Sequence, residues 1–451
     1  MNPRLTLTDI FSVFGSLGCT AVLCKPLAEN DNSKNQVYLG PDFAALNVLP
    51  HGELTQEGNS PSANFKASLD WSWINDELKL SRAPGAQLIL YPQYPEVRLS
   101  GFLRGSETAP SALMRPRSND YEVPQRILLL GINSATGRII GFLSVAKTEI
   151  FEEIGKALKG RVLQGVFYDL TLLLPAHRDP RAALLQTLKE IALRGWIRSK
   201  RLDRDHNIVP CESPNCGGYT LEAELGITPN SRSEPDYLGW EVKQHRVESL
   251  EDLPRRLKLK GSPITLMTPE PKAGLYIELG VEGFIKKFGY QDRVGRLDRL
   301  NFGGKYVCET VYPLTGLMLT LEGFDVVSGK MKADGRIKLV KPGESDAAAI
   351  WTFADLLKHW SRKHAKAVYV PSLSEKIPQL VYRFGSFVRL GEGTDFIRFL
   401  KALAEGTVYY DPGIKLENLG GQPRIKRRSQ FRIISGDLPR LYDSMSVESL
   451  A

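Results

Sequence analysis

The sequence predicts two domains of α/β and β-rich class: a β-rich N-terminal module, then a domain built on a mixed sheet. Three observations carry this. A chain of 451 residues exceeds what one hydrophobic core ordinarily serves. Up to about residue 160, short apolar runs are separated by Gly, Pro, Asn and Asp, the spacing of a small β module. From Tyr219 the pattern changes to helical and strand-like segments in alternation.

In the N-terminal part, strands are expected at Cys19–Leu23, Gln87–Tyr91, Ile127–Ile132 and Arg138–Val145. A helix follows at Glu149–Leu158, where Ile150, Phe151, Ile154 and Leu158 repeat at helical spacing. Val166–Leu174 reads as a strand and Arg181–Leu193 as a helix. Beyond Tyr219, strands are expected at Pro263–Thr268, Leu275–Leu279, Tyr306–Tyr312, Leu314–Gly323, Gly335–Val340 and Val368–Val370. Helices are expected at Thr352–Ala367 and Thr394–Ala404. The expected division is a first domain over residues 1–200, a polar linker with Cys and Pro over 201–218, and a second domain over 219–451.

Composition excludes several classes. Apolar content of 42% with 24% charged residues belongs to a globular chain and not a disordered one. No run approaches the length of a membrane span, and the start Met1-Asn-Pro-Arg-Leu-Thr lacks an apolar secretory segment. A cytoplasmic location without membrane contact is therefore expected. Five sparse cysteines fit reduced thiols. Cys211-Glu-Ser-Pro-Asn-Cys216 has no second Cys or His pair nearby to make a zinc site. His359 and His364 read as surface and packing residues.

The net charge of +8 is mild for this length, but it is clustered. Arg424-Ile-Lys426-Arg427-Arg428-Ser-Gln-Phe-Arg432 contains no acid, and Arg255-Arg256-Leu-Lys258-Leu-Lys260 and Lys286-Lys287 add further patches. Such patches suit a polyanion, and double-stranded DNA is the simplest one.

The chemistry centres on Asp236-Tyr-Leu-Gly-Trp-Glu241-Val-Lys243, fourteen residues after Glu222. From Trp240 to Lys243 the order is apolar, acid, apolar, lysine, the period of a strand. Glu241 and Lys243 then share one face while Trp240 and Val242 enter a core. Pro235 restricts the approach and Gly239 permits a bend, so Asp236 can converge on Glu241. Two carboxylates are what a hard cation such as Mg²⁺ prefers. Asp236 and Glu241 are the expected metal ligands, with the Val242 carbonyl a third. Lys243 would orient or help deprotonate a water and offset phosphate charge. Glu222 would complete a second metal shell or hold Lys243. Glu224 lies two positions on, on a different helix face, and is the weaker candidate.

Thr220-Leu-Glu222, Pro235-Asp236, Glu241-Val-Lys243 and Asp411-Pro-Gly-Ile-Lys415 with Lys426-Arg427-Arg428-Ser-Gln-Phe-Arg432 together resemble the MvaI/BcnI restriction endonucleases. The resemblance covers about residues 210 to 440. It implies a PD-(D/E)XK fold shared with the mismatch-repair nickase MutH, and products with a 5′-phosphate and a 3′-hydroxyl. Lys25-Pro-Leu-Ala-Glu-Asn30-Asp31-Asn32-Ser-Lys34-Asn35-Gln36, with Glu96-Val-Arg98-Leu-Ser100-Gly-Phe-Leu-Arg104, resembles the effector-binding domain of EcoRII-type enzymes. That resemblance implies a DNA-binding pseudobarrel gripping the duplex with two arms. Together the two imply a Type IIE restriction endonuclease with CC(A/T)GG as target and a companion DNA methyltransferase in the host.

The expected DNA contacts follow. In the first domain they are Lys25, Asn30, Asp31, Asn32, Lys34, Gln36, Arg98 and Arg104, although Asn30-Asp31-Asn32 alone equally describes a polar turn. In the second domain Arg427, Arg428, Gln430 and Arg432 lie in a strand-like run whose alternate members would face DNA, joined by Lys415 and Lys426. Arginine to guanine is the commonest bidentate contact. Asp411 either accepts from cytosine or caps the turn at Pro412-Gly413. Arg293 and Arg296, with the glycines of Asn301-Phe302-Gly303-Gly304-Lys305, form either a second clamp or a fold-stabilising loop. With one acid-acid-lysine set per chain, one strand is expected to be cut per event, and the protein is expected to act as a monomer. The rival readings are a MutH-like nickase of DNA repair and a non-catalytic DNA-binding regulator that keeps a nuclease fold.

Overall fold

The computed structural model describes residues 5–450 except 30–34, 59, 61, 176–178, 214, 229–235, 252–260, 361–364, 377 and 420. The chain divides into two compact units, Met1–Asp179 and Pro180–Ala451.

The first unit is built on two sheets. In the six-stranded sheet the order is Tyr168–Asp169, Ala21–Leu27, Arg126–Asn133, Arg138–Val145, Asp70–Ile74 and Leu80–Arg82. Its centre is the antiparallel pair Arg126–Asn133 and Arg138–Val145, and Asp70–Ile74 joins parallel to the latter. Arg-Ile-Leu-Leu-Leu-Gly-Ile-Asn is a nearly unbroken apolar run because both faces of that strand are covered. The helices Leu7–Ser16 and Glu149–Leu158 pack on it through Ile10, Phe11, Phe14, Ile150 and Ile154, against Val22, Leu129 and Ile140. The five-stranded sheet runs Val37–Tyr38, Glu96–Ser100, Gln87–Tyr91, Phe65–Ser68 and Thr55–Gln56.

The second unit centres on a six-stranded mixed sheet. Lys366–Lys376 is its spine, pairing antiparallel with Leu380–Phe384 and Phe387–Glu392 and parallel with Glu241–Arg246. Trp196–Arg198 and Ser444–Ser449 close the two ends. Helix Pro180–Leu193 covers the sheet with Leu184, Leu188 and Ile191, in one core with Trp240, Val242, Val368, Val370, Phe384 and Leu390. Smaller sheets extend the unit. One pairs Pro263–Met267, Phe431–Ile434 and Val408–Tyr410. Another pairs Tyr290–Gln291, Leu300–Gly303, Gly413–Glu417 and Arg424–Lys426. A third runs Val311–Tyr312, Leu317–Phe324, Met331–Val340 and Ala347–Thr352.

Gln87–Tyr91, Arg138–Val145 and Glu149–Leu158 fall where the sequence places them. Several elements differ. Residues 180–218 pack in the second unit: Ile197 pairs with Tyr382, and Lys200–Leu202 forms a hairpin with Ile208–Pro210. Cys211 and Cys216, expected as free thiols, are joined in a disulfide and buried in the second core. Leu275–Glu278 is a helical turn and not a strand, since the three-residue apolar run Leu275-Tyr-Ile277 lacks the length that separates the two periods. Of 166–174, only Tyr168–Asp169 is strand, and a 3₁₀ turn follows at Thr171–Leu173. The first helix expected near 352–367 is Phe353–Trp360. The basic C-terminal run is not one strand: residues 427–430 separate Arg424–Lys426 from Phe431–Ile434, which belong to different sheets.

Candidate functional site

The strand Glu241–Arg246 is anchored by what alternates with its polar side chains. Trp240 and Val242 are buried in the second core. Immediately before the strand the chain reverses at Tyr237-Leu-Gly-Trp240, where Tyr237 and Trp240 exchange backbone hydrogen bonds of 3.0 and 2.8 Å. Leu238 at φ +49 and Gly239 at φ +81 place both central residues in the left-handed region, the geometry of a tight two-residue hairpin turn. That reversal carries Asp236 back beside the strand start, where its Oδ2 accepts the Val242 N–H at 3.1 Å.

Glu241 and Lys243 stand on one face of the strand. Glu241 is 1% exposed and its Oε1 lies 2.6 Å from the Lys243 Nζ, a side chain 19% exposed. Burial disfavours the Lys243 charge. The attraction of Glu241, its hydrogen bond and the charge of Asp236 outweigh that and hold the ammonium above the ordinary lysine value. Asp236, Glu241 and Lys243 are thus one constellation.

Glu222 sits half-buried on helix Cys216–Glu224, an element that packs beside the Glu241 strand. Glu224 is committed elsewhere: its carboxylate pairs with Lys200 at 2.5 Å and with Arg194, which ties the helix to the preceding hairpin. Among the described residues no three acidic, His or Cys side chains cluster as a ready metal cage. Two carboxylates at the strand start, Asp236 and Glu241, with the neighbouring carbonyl oxygens, are a hard oxygen donor set. That set fits Mg²⁺, which keeps several waters and takes one or two carboxylates.

The sheet adds a buried polar layer that the sequence did not reveal. Register places Lys243 opposite Tyr369 and His245 opposite Pro371. The Tyr369 hydroxyl meets that of Tyr442 at 2.8 Å, and Arg389, across from Tyr369, donates to the Ser435 carbonyl at 2.6 Å. His245 is held neutral, its pKa pushed down to about 3 by burial and by Arg389. Tyr442 and Arg389 lie far along the chain from Lys243, so no local spacing signals them.

Residues 185–442 match the family model of the MvaI/BcnI restriction endonucleases. The chain belongs to that family. The solved complex of restriction endonuclease MvaI with its cognate DNA substrate is similar over 61% of this chain and 100% of its own. Identity there is 15% and the TM-score 0.44. MvaI in the absence of DNA is similar over 60% of this chain and 99% of its own, at 13% identity and a TM-score of 0.31. No curated protein matches the chain.

Within the MvaI/BcnI region the basic candidates differ in how free they are. Arg427 and Arg428 are exposed, and the Arg428 Nε donates to the Gln430 Oε1 at 3.1 Å. Gln430 is 3% exposed and its Oε1 also accepts from Thr265 at 3.2 Å, so it braces Arg428 from inside the fold. Arg432 pairs with Asp411 at 2.7 Å and donates to the Pro263 carbonyl at 2.9 Å. Asp411 and Arg432 therefore act as a linked pair. Lys426 pairs with Glu417 at 2.9 Å, and Lys415 is half-buried opposite it in the ladder. Arg293 and Arg296 are exposed on the loop joining Tyr290–Gln291 to Leu300–Gly303.

In the first unit, Arg98 is held by Glu96 at 2.7 Å, by the Gln36 Oε1 at 3.1 Å and over the Tyr91 ring at 5.3 Å. Arg104 is exposed, and Lys25 is half-buried with its pKa lowered by burial. Asn30, Asp31, Asn32 and Lys34 lie outside the described residues, as do Pro235, His364 and the Arg255–Lys260 cluster. No helix among the described residues is long and apolar enough to cross a membrane.

Proposed function

We propose that the protein is a Type IIE restriction endonuclease that uses Mg²⁺ to hydrolyse double-stranded DNA at CC(A/T)GG, working beside a companion methyltransferase. The observation that carries the reading is the convergence of Asp236, Glu241 and Lys243 at the start of one strand of an MvaI/BcnI-family chain. DNA as substrate is supported by membership of the MvaI/BcnI restriction endonuclease family.

Asp236 and Glu241 would hold Mg²⁺, with the Val242 carbonyl a third oxygen. When bound, the ion offsets phosphate charge and acidifies a water near neutral pH. Lys243 supplies a fixed positive charge and hydrogen-bond donors. Because its pKa is raised, it stays an ammonium at neutral pH and serves to orient the water and the phosphate, and it does not abstract a proton. Trp240 and Val242 hold the strand so that these groups keep their positions. Arg427 and Arg428, exposed beside the braced Gln430, are the proposed readers of guanine.

The first unit would act as the effector module, binding a second copy of the target through Arg98, Arg104, Lys25 and Gln36. With one acid-acid-lysine set per chain, the protein acting as a monomer would cut one strand per event. The test is plasmid DNA with Mg²⁺, followed by sequencing of the product ends. Cuts at a single short sequence on both strands support the reading. Cuts on one strand only would favour a MutH-like nickase, and no cutting a binding protein.

A further inference from the structure

The loop between Tyr290–Gln291 and Leu300–Gly303 carries an apolar tip open to solvent: Val294 is 88% exposed and Leu297 86%. Single exposed apolar side chains are ordinary. These two differ because the loop that presents them is built to be rigid. Asp292, its side chain 1% exposed, accepts the N–H groups of Val294 at 2.9 Å and Arg296 at 3.3 Å through Oδ1. Its Oδ2 accepts from Arg299 Nε at 2.8 Å and from Asn301 Nδ2 at 2.8 Å. The Gln291 amide nitrogen donates to the carbonyls of Arg296, Leu297 and Arg299 at 3.1, 2.9 and 3.2 Å. Asn301 and Arg299 hold the Asp292 carboxyl far below the usual carboxylate range.

A surface loop fixed by so many bonds, yet packing its two apolar residues on nothing within its own sheet, is preorganised for a partner. The charge around it identifies the class. Arg293 and Arg296 flank Val294, and the same four-stranded sheet carries Lys415, Arg424 and Lys426 on its further strands. Cations around an apolar tip suit a duplex, whose phosphates meet the cations while the apolar groups enter between bases.

We propose that Val294 and Leu297 form an apolar wedge that enters a groove of the DNA and unstacks a base step, with Arg293 and Arg296 on the adjoining phosphates. This rests on the DNA-cleaving reading. It assigns to the loop a deformation of the duplex that neither the strand of Asp236 to Lys243 nor the arginines of 427–428 would produce.

The experiment uses the full chain in Ca²⁺ with 30-bp duplexes carrying CC(A/T)GG, with 2-aminopurine replacing the adenine of the central pair or an adenine at successive flanking positions. Gel shift on the same duplexes reports binding. Wild type should raise the fluorescence severalfold at one step. The double variant Val294→Ser, Leu297→Ser should lose that rise and bind cognate duplex about tenfold more weakly, the loss expected for one large apolar side chain left in water. Both positions are exposed, so circular dichroism and thermal melting should match wild type. Binding without fluorescence change at any scanned position, or an unchanged rise in the variant, overturns the wedge while leaving the nuclease reading intact. A changed oligomeric state of the variant with unchanged DNA unstacking overturns it in favour of a second copy. Failure of wild type to bind any duplex removes both proposals.

Discussion

Lys243 and Glu241 project from one face of the same strand, and the lysine ammonium closes on a carboxylate almost wholly removed from solvent, 2.6 Å away. Each charge is tolerable there because of the other. Removing one partner of a buried pair leaves a charge without compensation, which costs more than the pair itself contributes. Lys243→Ala should therefore destabilise the second unit by about 3 kcal/mol, at the low end for such a break because part of Lys243 remains exposed. Urea denaturation of the metal-free variant measures this, and the loss should shrink in Lys243→Ala, Glu241→Gln, which carries no orphaned charge.

The same variants separate chemistry from recognition. Asp236→Ala and Lys243→Ala should abolish cleavage and leave specific binding in Ca²⁺ within a few-fold of wild type, since neither residue stands among the exposed arginines. Gel shift with cognate and random duplexes makes the comparison, and equal loss of binding and cleavage would remove these residues from a purely chemical role.

Arg428→Ala should weaken specific binding by about 1–3 kcal/mol if it takes guanine in bidentate fashion. Arg427→Ala should do the same if it too reads guanine, whereas a contact to phosphate would weaken cognate and random duplex alike and flatten the salt dependence. Gln430→Ala should act through Arg428, whose Nε it braces, and through the stranded Thr265 hydroxyl. It should lower thermal stability as well as specificity. Titrations at two salt concentrations, paired with melting curves, separate the three.

The pH dependence of stability should carry a signature from His245. Burial and Arg389 push its pKa down to about 3, so in the fold it stays neutral where the unfolded chain takes up a proton. The sign follows: the unfolded state binds more protons between pH 6.5 and about 3. Its contribution is complete above pH 6.5 and is lost as pH falls, at a slope approaching about 1.4 kcal/mol per unit for one proton. His245→Asn should flatten the stability curve between pH 6 and 4 relative to wild type, followed by denaturation at fixed ionic strength.

If the first unit is an effector module, DNA with two targets should be cut faster than DNA with one, and a short cognate oligonucleotide should rescue the slow substrate. Arg98→Ala should erase that stimulation, because Glu96, Gln36 and Tyr91 hold its guanidinium in one orientation. A truncation should begin at Pro180 and not near 200, since Trp196–Arg198 is a strand of the second sheet and Leu184, Leu188 and Ile191 belong to its core. The truncated protein should keep its sequence preference and lose the response to the oligonucleotide.

What the sequence made legible follows from period and spacing. The alternation from Trp240 to Lys243 foretold a strand with Glu241 and Lys243 on one face, and Gly239 foretold the turn that returns Asp236. The helix Glu149–Leu158 was legible from its period, and the strand Arg138–Val145 as an apolar run bounded by turn residues. Leu275–Glu278 was not, because a short apolar run carries no period. Nor was the membership of residues 180–218, which pairing with strands near residue 380 decides. The exposure of Arg428, the burial of Gln430 and the Asp411–Arg432 pair depend on the break between two sheets at 427–430, and composition does not mark that break. Tyr369, Tyr442, His245 and Arg389 meet only through strand register and packing across the sheet.

Metal-dependent cleavage of DNA at one sequence is the role proposed for Asp236, Glu241 and Lys243. Its most direct test is a plasmid bearing a single CC(A/T)GG, incubated with wild type, with Asp236→Ala and with Lys243→Ala, each with Mg²⁺ and with EDTA. Wild type with Mg²⁺ should pass through a nicked intermediate to linear DNA cut at the target, with 5′-phosphate ends, and the other reactions should leave the plasmid supercoiled. Cleavage by either variant at the wild-type rate, or cleavage in EDTA, would contradict the account.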